Sequence, residues 1–308
     1  VAISGNTIAI GAAQEASDST GINGPQNNTN AGDSGAVYVF TRTRTTWSQQ
    51  AYVKSSNSEA SDFFGGSVAL SGDTLVAGAY GERSNATGIN GNQADNSLTA
   101  SGAAYVFQRN GTTWTQQAYL KASNPEAEDR FGLPVAISGD TIVAAAWTED
   151  SDANGVNGDQ GDNTATDAGA AYVFQLTGGT WRQSAYLKAS NSGMEDRFGF
   201  SLAVSGSSIA VGAYQEDGDA TGFGGADTNN ASNAGAVYFY TRNAGQWLLR
   251  SYIKAADTVT LDLFGHAVAM SGDLLVVGAP EEDSESTGVN GNAALFSASN
   301  SGAVYTFT

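Results

Sequence analysis

The chain has no cysteine, a single histidine, two methionines and four prolines among 308 residues. Without cysteine there is no disulfide, no thiolate metal site and no cysteine nucleophile. Secreted bacterial proteins often lack cysteine, whereas secreted animal domains of this size usually carry some, so its absence leans toward a bacterial source. Positive charge is also scarce: 13 Lys and Arg against 31 Asp and Glu give a formal charge of −18. Such a surface repels a phosphate backbone and an anionic lipid face, so neither nucleic acid nor membrane insertion is expected. The same excess suits cations or simple solubility in salty surroundings, and charge alone does not choose between them. No apolar run approaches the roughly 18 residues that span a bilayer, and no signal-peptide pattern is present. The chain opens in a strand-like run, Val1-Ala2-Ile3-Ser4, without Met, and reads as a mature or excised part of something longer.

What is present is glycine, 39 residues, with 41% hydrophobic and 14% charged residues, a turn-rich folded chain rather than a disordered one. It repeats itself. Phe64-Gly65, Phe131-Gly132, Phe198-Gly199 and Phe264-Gly265 recur at intervals of 67, 67 and 66 residues. The same interval relates Trp47, Trp114, Trp181 and Trp247, then Lys54, Lys121, Lys188 and Lys254, then Tyr38, Tyr105, Tyr172, Tyr238 and Tyr305. One array over residues 1–308 follows, with units 1–63, 64–130, 131–197, 198–263 and 264–308.

Each unit carries four β-like runs. In the second, Ser67–Ser71 meets Thr74–Ala79 across Gly72-Asp73, a two-residue hairpin signal. A loop of about twenty residues leads to Ala103–Gln108, and Asn110-Gly111 turns into Thr113–Ala122. A lone four-stranded sheet with apolar residues on both faces, as in Val37 and Val39 against Tyr38 and Phe40, needs neighbours to cover it. Gly78-Ala79 and Gly212-Ala213, at the end of the second strand, permit close approach of packed sheets. The expected fold is all-β: a β-propeller of four-stranded antiparallel blades, five repeats visible, the last lacking its fourth strand. By the spacing, 22 residues would complete that last unit, and its sheet edge is open to another strand or chain.

A Phe-Gly pair followed by a strand, a turn and a strand ending in Gly-Ala-Pro or Gly-Ala-Tyr resembles the FG-GAP repeat of integrin α-subunit propellers. Residues 264–280, FGHAVAMSGDLLVVGAP, match that pattern almost throughout. The resemblance spans the chain and is strongest to secreted and surface FG-GAP proteins of bacteria. It implies a propeller, calcium in some blades, and roles in adhesion or ligand binding. In integrin-type blades the calcium loop joins the first and second strands, whereas here a bare turn does so, as at Gly5-Asn6 and Gly139-Asp140. The family's calcium positions therefore do not carry over.

The candidate metal site is the long loop between the second and third strands. In unit three, Asp150-x-Asp152-x-Asn154-Gly155 has the spacing of a calcium-loop core, alternate oxygens with glycine at the tight bend, and Asp159 or Asp162 would close the shell. Unit four offers Asp217-x-Asp219-x-Thr221-Gly222 and unit five Asp283-x-Glu285-x-Thr287-Gly288. Units one and two decay to Ala16-x-Asp18 and Arg83-x-Asn85. Carboxylate count ranks unit three first for Ca²⁺. The competing reading is a polar turn in which Gly21, Gly88, Gly155, Gly222 and Gly288 supply positive φ.

Two other carboxylate rows are read as structural. Glu15, Glu82, Glu149, Glu216 and Glu282 persist even where the aspartates decay, and are expected to accept hydrogen bonds from nearby backbone, with metal ligation the lesser alternative. Asp62, Asp129, Asp196 and Asp262 precede each Phe-Gly and are expected to cap a turn. The lysine row pairs with one of the two. The Trp row is expected to pack outer strands. Trp147, replacing the tyrosine of Tyr80 and Tyr214 beside the most acidic loop, is the aromatic singled out for ligand contact.

Catalysis has little support. His266 occupies a position held by Gly66, Leu133 and Phe200, and no Ser-His-Asp set or phosphate-binding glycine loop occurs. The expected function is a non-catalytic extracellular or cell-surface binding and adhesion propeller, calcium-stabilised through its acidic loops, with a protein or glycan ligand. The alternatives are a structural repeat assembling with copies of itself into a matrix or filament, and a polysaccharide-binding or polysaccharide-active propeller.

Overall fold

A computed structural model describes every residue except 226–227 and 292–296. The described residues form nineteen strands and no helix, so no helix is long and apolar enough to cross a membrane. The strands fall into five antiparallel sheets, each in simple chain order. The first sheet is β1 (Ala2–Ser4), β2 (Thr7–Ala12), β3 (Ala36–Thr43) and β4 (Thr46–Val53); the second is β5 (Phe64–Ser71), β6 (Thr74–Ala79), β7 (Ala103–Asn110) and β8 (Thr113–Leu120). The third is β9 (Val135–Ser138), β10 (Thr141–Ala146), β11 (Ala170–Thr177) and β12 (Thr180–Leu187); the fourth is β13 (Ser201–Ser205), β14 (Ser208–Ala213), β15 (Ala236–Asn243) and β16 (Gln246–Ile253). The fifth has three, β17 (Ala267–Ser271), β18 (Leu274–Ala279) and β19 (Ala303–Phe307). These are the blades of a β-propeller, one per repeat, as the periodicity predicts. The observed strands differ from the apolar runs only at their ends: pairing carries β5 back to Phe64 and β7 on to Asn110.

By packing, the chain divides into two compact units, Val1–Ala146 with Tyr172–Ser184, and Trp147–Ala171 with Ala185–Thr308. Both obey one local rule. The chain entering a blade first lies beside the previous sheet: Ser61 N–H donates to Gly32 O at 2.9 Å, Phe63 N–H to Asp33 O at 2.9 Å and Phe64 N–H to Ser34 O at 3.0 Å. In the second compact unit Leu261, Leu263 and Phe264 repeat this with Ser232, Asn233 and Ala234. The phenylalanine then turns its ring into its own blade. Phe64 meets Tyr105 at 5.4 Å, Phe131 meets Tyr172 at 5.3 Å, and Phe264 meets Tyr305 at 5.2 Å, all edge to face, a favoured aromatic geometry.

Glycine follows because backbone meets backbone. A Cβ on Gly78 would overlap the carbonyl oxygen of Gly132, one on Gly11 that of Gly65, and one on Gly212 that of Gly265. In these three seams the Phe-Gly of the following blade thus seats on the second strand of the one before, which explains the glycine at those positions.

Candidate functional site

In the first four blades the long loop between the second and third strands is rooted on a Lys–Glu ion pair. In the first blade the Lys54 ammonium donates to Glu15 Oε2 at 2.9 Å, Ser17 O at 2.8 Å and Ser34 Oγ at 2.6 Å. Its three protons are all used, which is the condition for burying a charged lysine. Glu15 also accepts from Ser17 N–H at 3.0 Å, and Tyr52 OH lies 2.6 Å from Ser17 Oγ. The arrangement recurs as Lys121–Glu82 at 3.0 Å, Lys188–Glu149 at 2.9 Å and Lys254–Glu216 at 2.6 Å, with Tyr119, Tyr186 and Tyr252 donating to the same carboxylates. The chain's four lysines are all accounted for in this way. Burial drags Lys121 and Lys188 down, and the facing Glu82 and Glu149 oppose it. At Glu15 burial pushes upward, but the bonds from Lys54, Tyr52 and Ser17 prevail and hold the carboxyl below its usual range. The glutamate row is therefore structural, as its persistence suggests, and its partner is the lysine row.

The aspartate row before Phe-Gly caps turns as expected. Asp62 accepts from Glu59 N–H at 2.8 Å, Asp129 from Glu126 at 2.7 Å, Asp196 from Gly193 at 2.7 Å and Asp262 from Val259 at 3.0 Å. Burial pushes the Asp62 and Asp262 carboxyls up to about 7, against the pull of those backbone bonds.

The structure does not bring the nine candidate metal ligands together. Asp150, Asp217 and Asp283 each turn an Oδ1 to the backbone N–H at the far end of their own loop, Asp167, Asn233 and Asn300, all at 2.8 Å. Those three donor residues have φ of 53–56°, so the first aspartate of the motif closes the loop over a left-handed residue. Asp152 and Asp162 share the Thr164 hydroxyl, Asp159 caps Gly161 N–H, and Asp219 holds Thr228 and Asn230. Asn154 accepts from Ser192 N–H, and Glu285 accepts from Ser297. Among the described residues no three His, Asp or Glu side chains are grouped as metal ligands would be. Gly21, Gly88, Gly155, Gly222 and Gly288 have φ of 67–86°, the turn role.

The aromatic candidates separate. Trp114, Trp181 and Trp247 are buried, and Trp114 Nε1–H donates to Gln50 at 2.9 Å, the packing expected of the row; Trp47 is 38% exposed. Trp147 is half-buried, with the Arg197 guanidinium 5.2 Å from its ring centre and Phe200 edge-on at 5.8 Å. Phe200 in turn contacts Tyr214 at 4.2 Å and His266 at 5.0 Å. The sole histidine is exposed at the end of this aromatic row, against Phe200 and Tyr214. Sequence reasoning missed the row: Trp147 with Tyr214 and Phe200 with His266 are equivalent positions of successive repeats, but their spacing does not say that the two positions meet in space.

The sequence profile of the FG-GAP repeat matches four times, at residues 47–107, 114–174, 181–240 and 247–307. Each match runs from an outer-strand tryptophan into the next blade's third strand, so it spans the blade-to-blade seam rather than one sheet. A comparison with curated proteins finds no match.

Proposed function

The chain belongs to the FG-GAP repeat family, and from that premise we propose that it is a non-catalytic extracellular propeller that binds a protein or glycan ligand through its long acidic loops. The observation that carries this is how the reactive side chains are used. All four lysines, their glutamates and the aspartate caps are committed to buried hydrogen bonds, which leaves the exposed loop crests as the variable surface. Extracellular placement is supported by the family, whose repeats are generally found in extracellular proteins. A bacterial cell surface is the setting that the cysteine-free, acidic composition favours. Calcium is not needed for this reading, because the loops are closed by their own hydrogen bonds; a melting temperature raised by calcium and lowered by chelator would mean that they rearrange around an ion.

The test is an array of glycans and surface proteins followed by product analysis of whatever binds. Retention of a chemically unchanged ligand is expected. Cleavage of a bound glycan would overturn the non-catalytic reading. A second reading, assembly through a sheet edge, is favoured by the exposure of Val304 (70%) and Leu274 (41%); sedimentation as a monomer at all concentrations would count against it.

A further inference from the structure

Two positions of the repeat vary where their neighbours do not. The residue after the second strand is Ala13, Tyr80, Trp147, Tyr214 and Pro280 in successive units, and the residue after Phe-Gly is Gly66, Leu133, Phe200 and His266. Alanine, proline, glycine and leucine all serve there, so the blade itself does not demand a ring. In the second blade the place is closed: Tyr80 lies flat on Phe63, ring centres 4.8 Å apart at 5°, and a Cβ on Gly66 would press on the tyrosine ring. Where both positions carry rings, they form a row. Phe200 lies 5.8 Å from Trp147, 4.2 Å from Tyr214 and 5.0 Å from His266. The row belongs to the second compact unit and centres on the third and fourth blades, each followed in the chain by a further sheet.

Arg197 holds the row in place. Its guanidinium lies 5.2 Å from the Trp147 ring centre and 5.9 Å from that of Tyr214, and it donates to the Tyr214 oxygen at 2.7 Å. Asp167 balances its charge from 3.8 Å, longer than a hydrogen bond, and the two side chains are 28% and 29% exposed. Trp147, Phe200 and Tyr214 are each half-buried, so all three keep part of a ring in water, where large aromatics are usually covered. A fixed aromatic surface thus adjoins an accessible donor and an accessible acceptor of cancelling charge. That combination suits a ligand with apolar faces and a rim of hydroxyls, and its rigidity lowers the cost of binding one.

We propose that the row is a glycan subsite: a neutral β-linked glucan packs its sugar rings on Trp147, Phe200 and Tyr214 and places ring hydroxyls between Arg197 and Asp167. Every ring substituent of a β-glucose unit is equatorial, which leaves axial C–H bonds on both faces to point at the negative face of an aromatic ring. A hydroxyl seated between Arg197 and Asp167 accepts from the first and donates to the second. The ion pair is already balanced and the chain carries a formal charge of −18, so a neutral glucan is favoured over a uronate. This subsite rests on the binding reading above: it narrows the ligand to a glycan and moves the contact from the loop crests to the aromatic row.

The test titrates cellotetraose, mannotetraose and a β-linked oligoglucuronate onto the 308-residue chain by calorimetry. Saturable binding of cellotetraose is expected, with weaker binding of the mannose oligomer, whose 2-hydroxyl is axial, and of the acidic one. Trp147→Ala and Phe200→Leu install residues that other blades hold at the same places, Ala13 and Leu133, so the fold is retained. Each is expected to weaken cellotetraose binding at least about tenfold, the scale of losing a central aromatic contact. Trp147→Tyr keeps a ring, as at Tyr80 and Tyr214, and is expected to hold the affinity within about threefold. Absence of saturable cellotetraose binding, tighter binding of the oligoglucuronate, or equal affinity in the wild type, Trp147→Ala and Phe200→Leu would overturn the proposal. Binding that survives those two variants but is lost in the double variant Asp152→Ala/Asp219→Ala would put the glycan on the loop crests, overturning the row while sustaining the loop reading.

Discussion

Replacing Lys121 by Met is the perturbation that reads most directly on how a blade is held. Lys121 is fully buried, 3.0 Å from Glu82 Oε2 and 2.7 Å from Ser101 Oγ. Methionine keeps most of the stem volume and deletes the charge. Glu82, 1% exposed, then retains Tyr119 at 2.9 Å, Ser84 N–H at 3.2 Å and the Asn57 amide at 3.2 Å as donors. Removing one partner of a buried pair costs about 3–5 kcal/mol, and the surviving donors put this case near the lower end. Glu82→Gln, which strands the lysine instead, is expected to cost about as much. The double variant Lys121→Met/Glu82→Gln buries no charge and leaves Gln an acceptor for Tyr119, so it is expected to recover at least about 2 kcal/mol of the summed losses. Urea unfolding gives the totals. Because stability in a repeat array is a sum of local terms, amide exchange in β7 and β8 locates the loss. A single-variant cost below about 1 kcal/mol, or a double variant that merely adds the two losses, would refute the ion pair as the anchor.

Two further outcomes follow from the same geometry. The Asp62 carboxyl is pushed up to about 7 by burial and titrates near 3.9 in an unfolded chain, so the folded state binds the extra proton between those values. Its contribution is fully present below the unfolded value and is lost as pH rises through 7: stability from this group increases by about 2 kcal/mol on going from pH 7.5 to pH 5. Asp62→Asn, which keeps an acceptor for Glu59 N–H, is expected to remove that increment in urea midpoints measured at the two pH values; an unchanged pH dependence would sink it. Gly78→Val drives a side chain into the Gly132 carbonyl and is expected to cost at least about 1–3 kcal/mol, the price of overpacking; a melting temperature unchanged by the substitution would mean that the second and third repeats do not meet there.

Much of the blade was legible because the signals were local and repeated. The Gly72-Asp73 hairpin and the alternation along Ala103–Gln108 needed only neighbouring residues to read, the Phe-Gly period needed only recurrence, and the capping role of Asp62 was read from its place two residues before Phe64. The lysine–glutamate pairing was harder. Lys54 and Glu15 are 39 residues apart, and the constant separation of the two rows carries no information about which of two acidic rows is nearer in space. The calcium-like spacing at Asp150 has two readings for a physical reason: the same alternation of oxygens that can wrap an ion also serves to close a loop over backbone N–H groups, and in units three, four and five the first aspartate does so at Asp167, Asn233 and Asn300. The Trp147–Phe200–Tyr214–His266 row was invisible because it alternates two repeat positions, Trp147 with Tyr214 and Phe200 with His266, and a common period does not tell which two positions touch.

The most direct measurement compares one substitution in two blades, Glu216→Gln and Glu282→Gln, by amide exchange and urea unfolding. If the recurrent glutamate is a post whose worth depends on its lysine, Glu216→Gln strands Lys254 and costs about 3 kcal/mol. Glu282→Gln instead relieves a buried carboxylate that pairs with no cation among the described residues, keeps an acceptor for Ser284, and is expected to stabilise the fifth blade of this chain by about 1–3 kcal/mol. Opposite signs are the expected result. Equal losses in both blades, or no effect in either, would contradict the structural role of the glutamate row and return it to the list of candidate ligands.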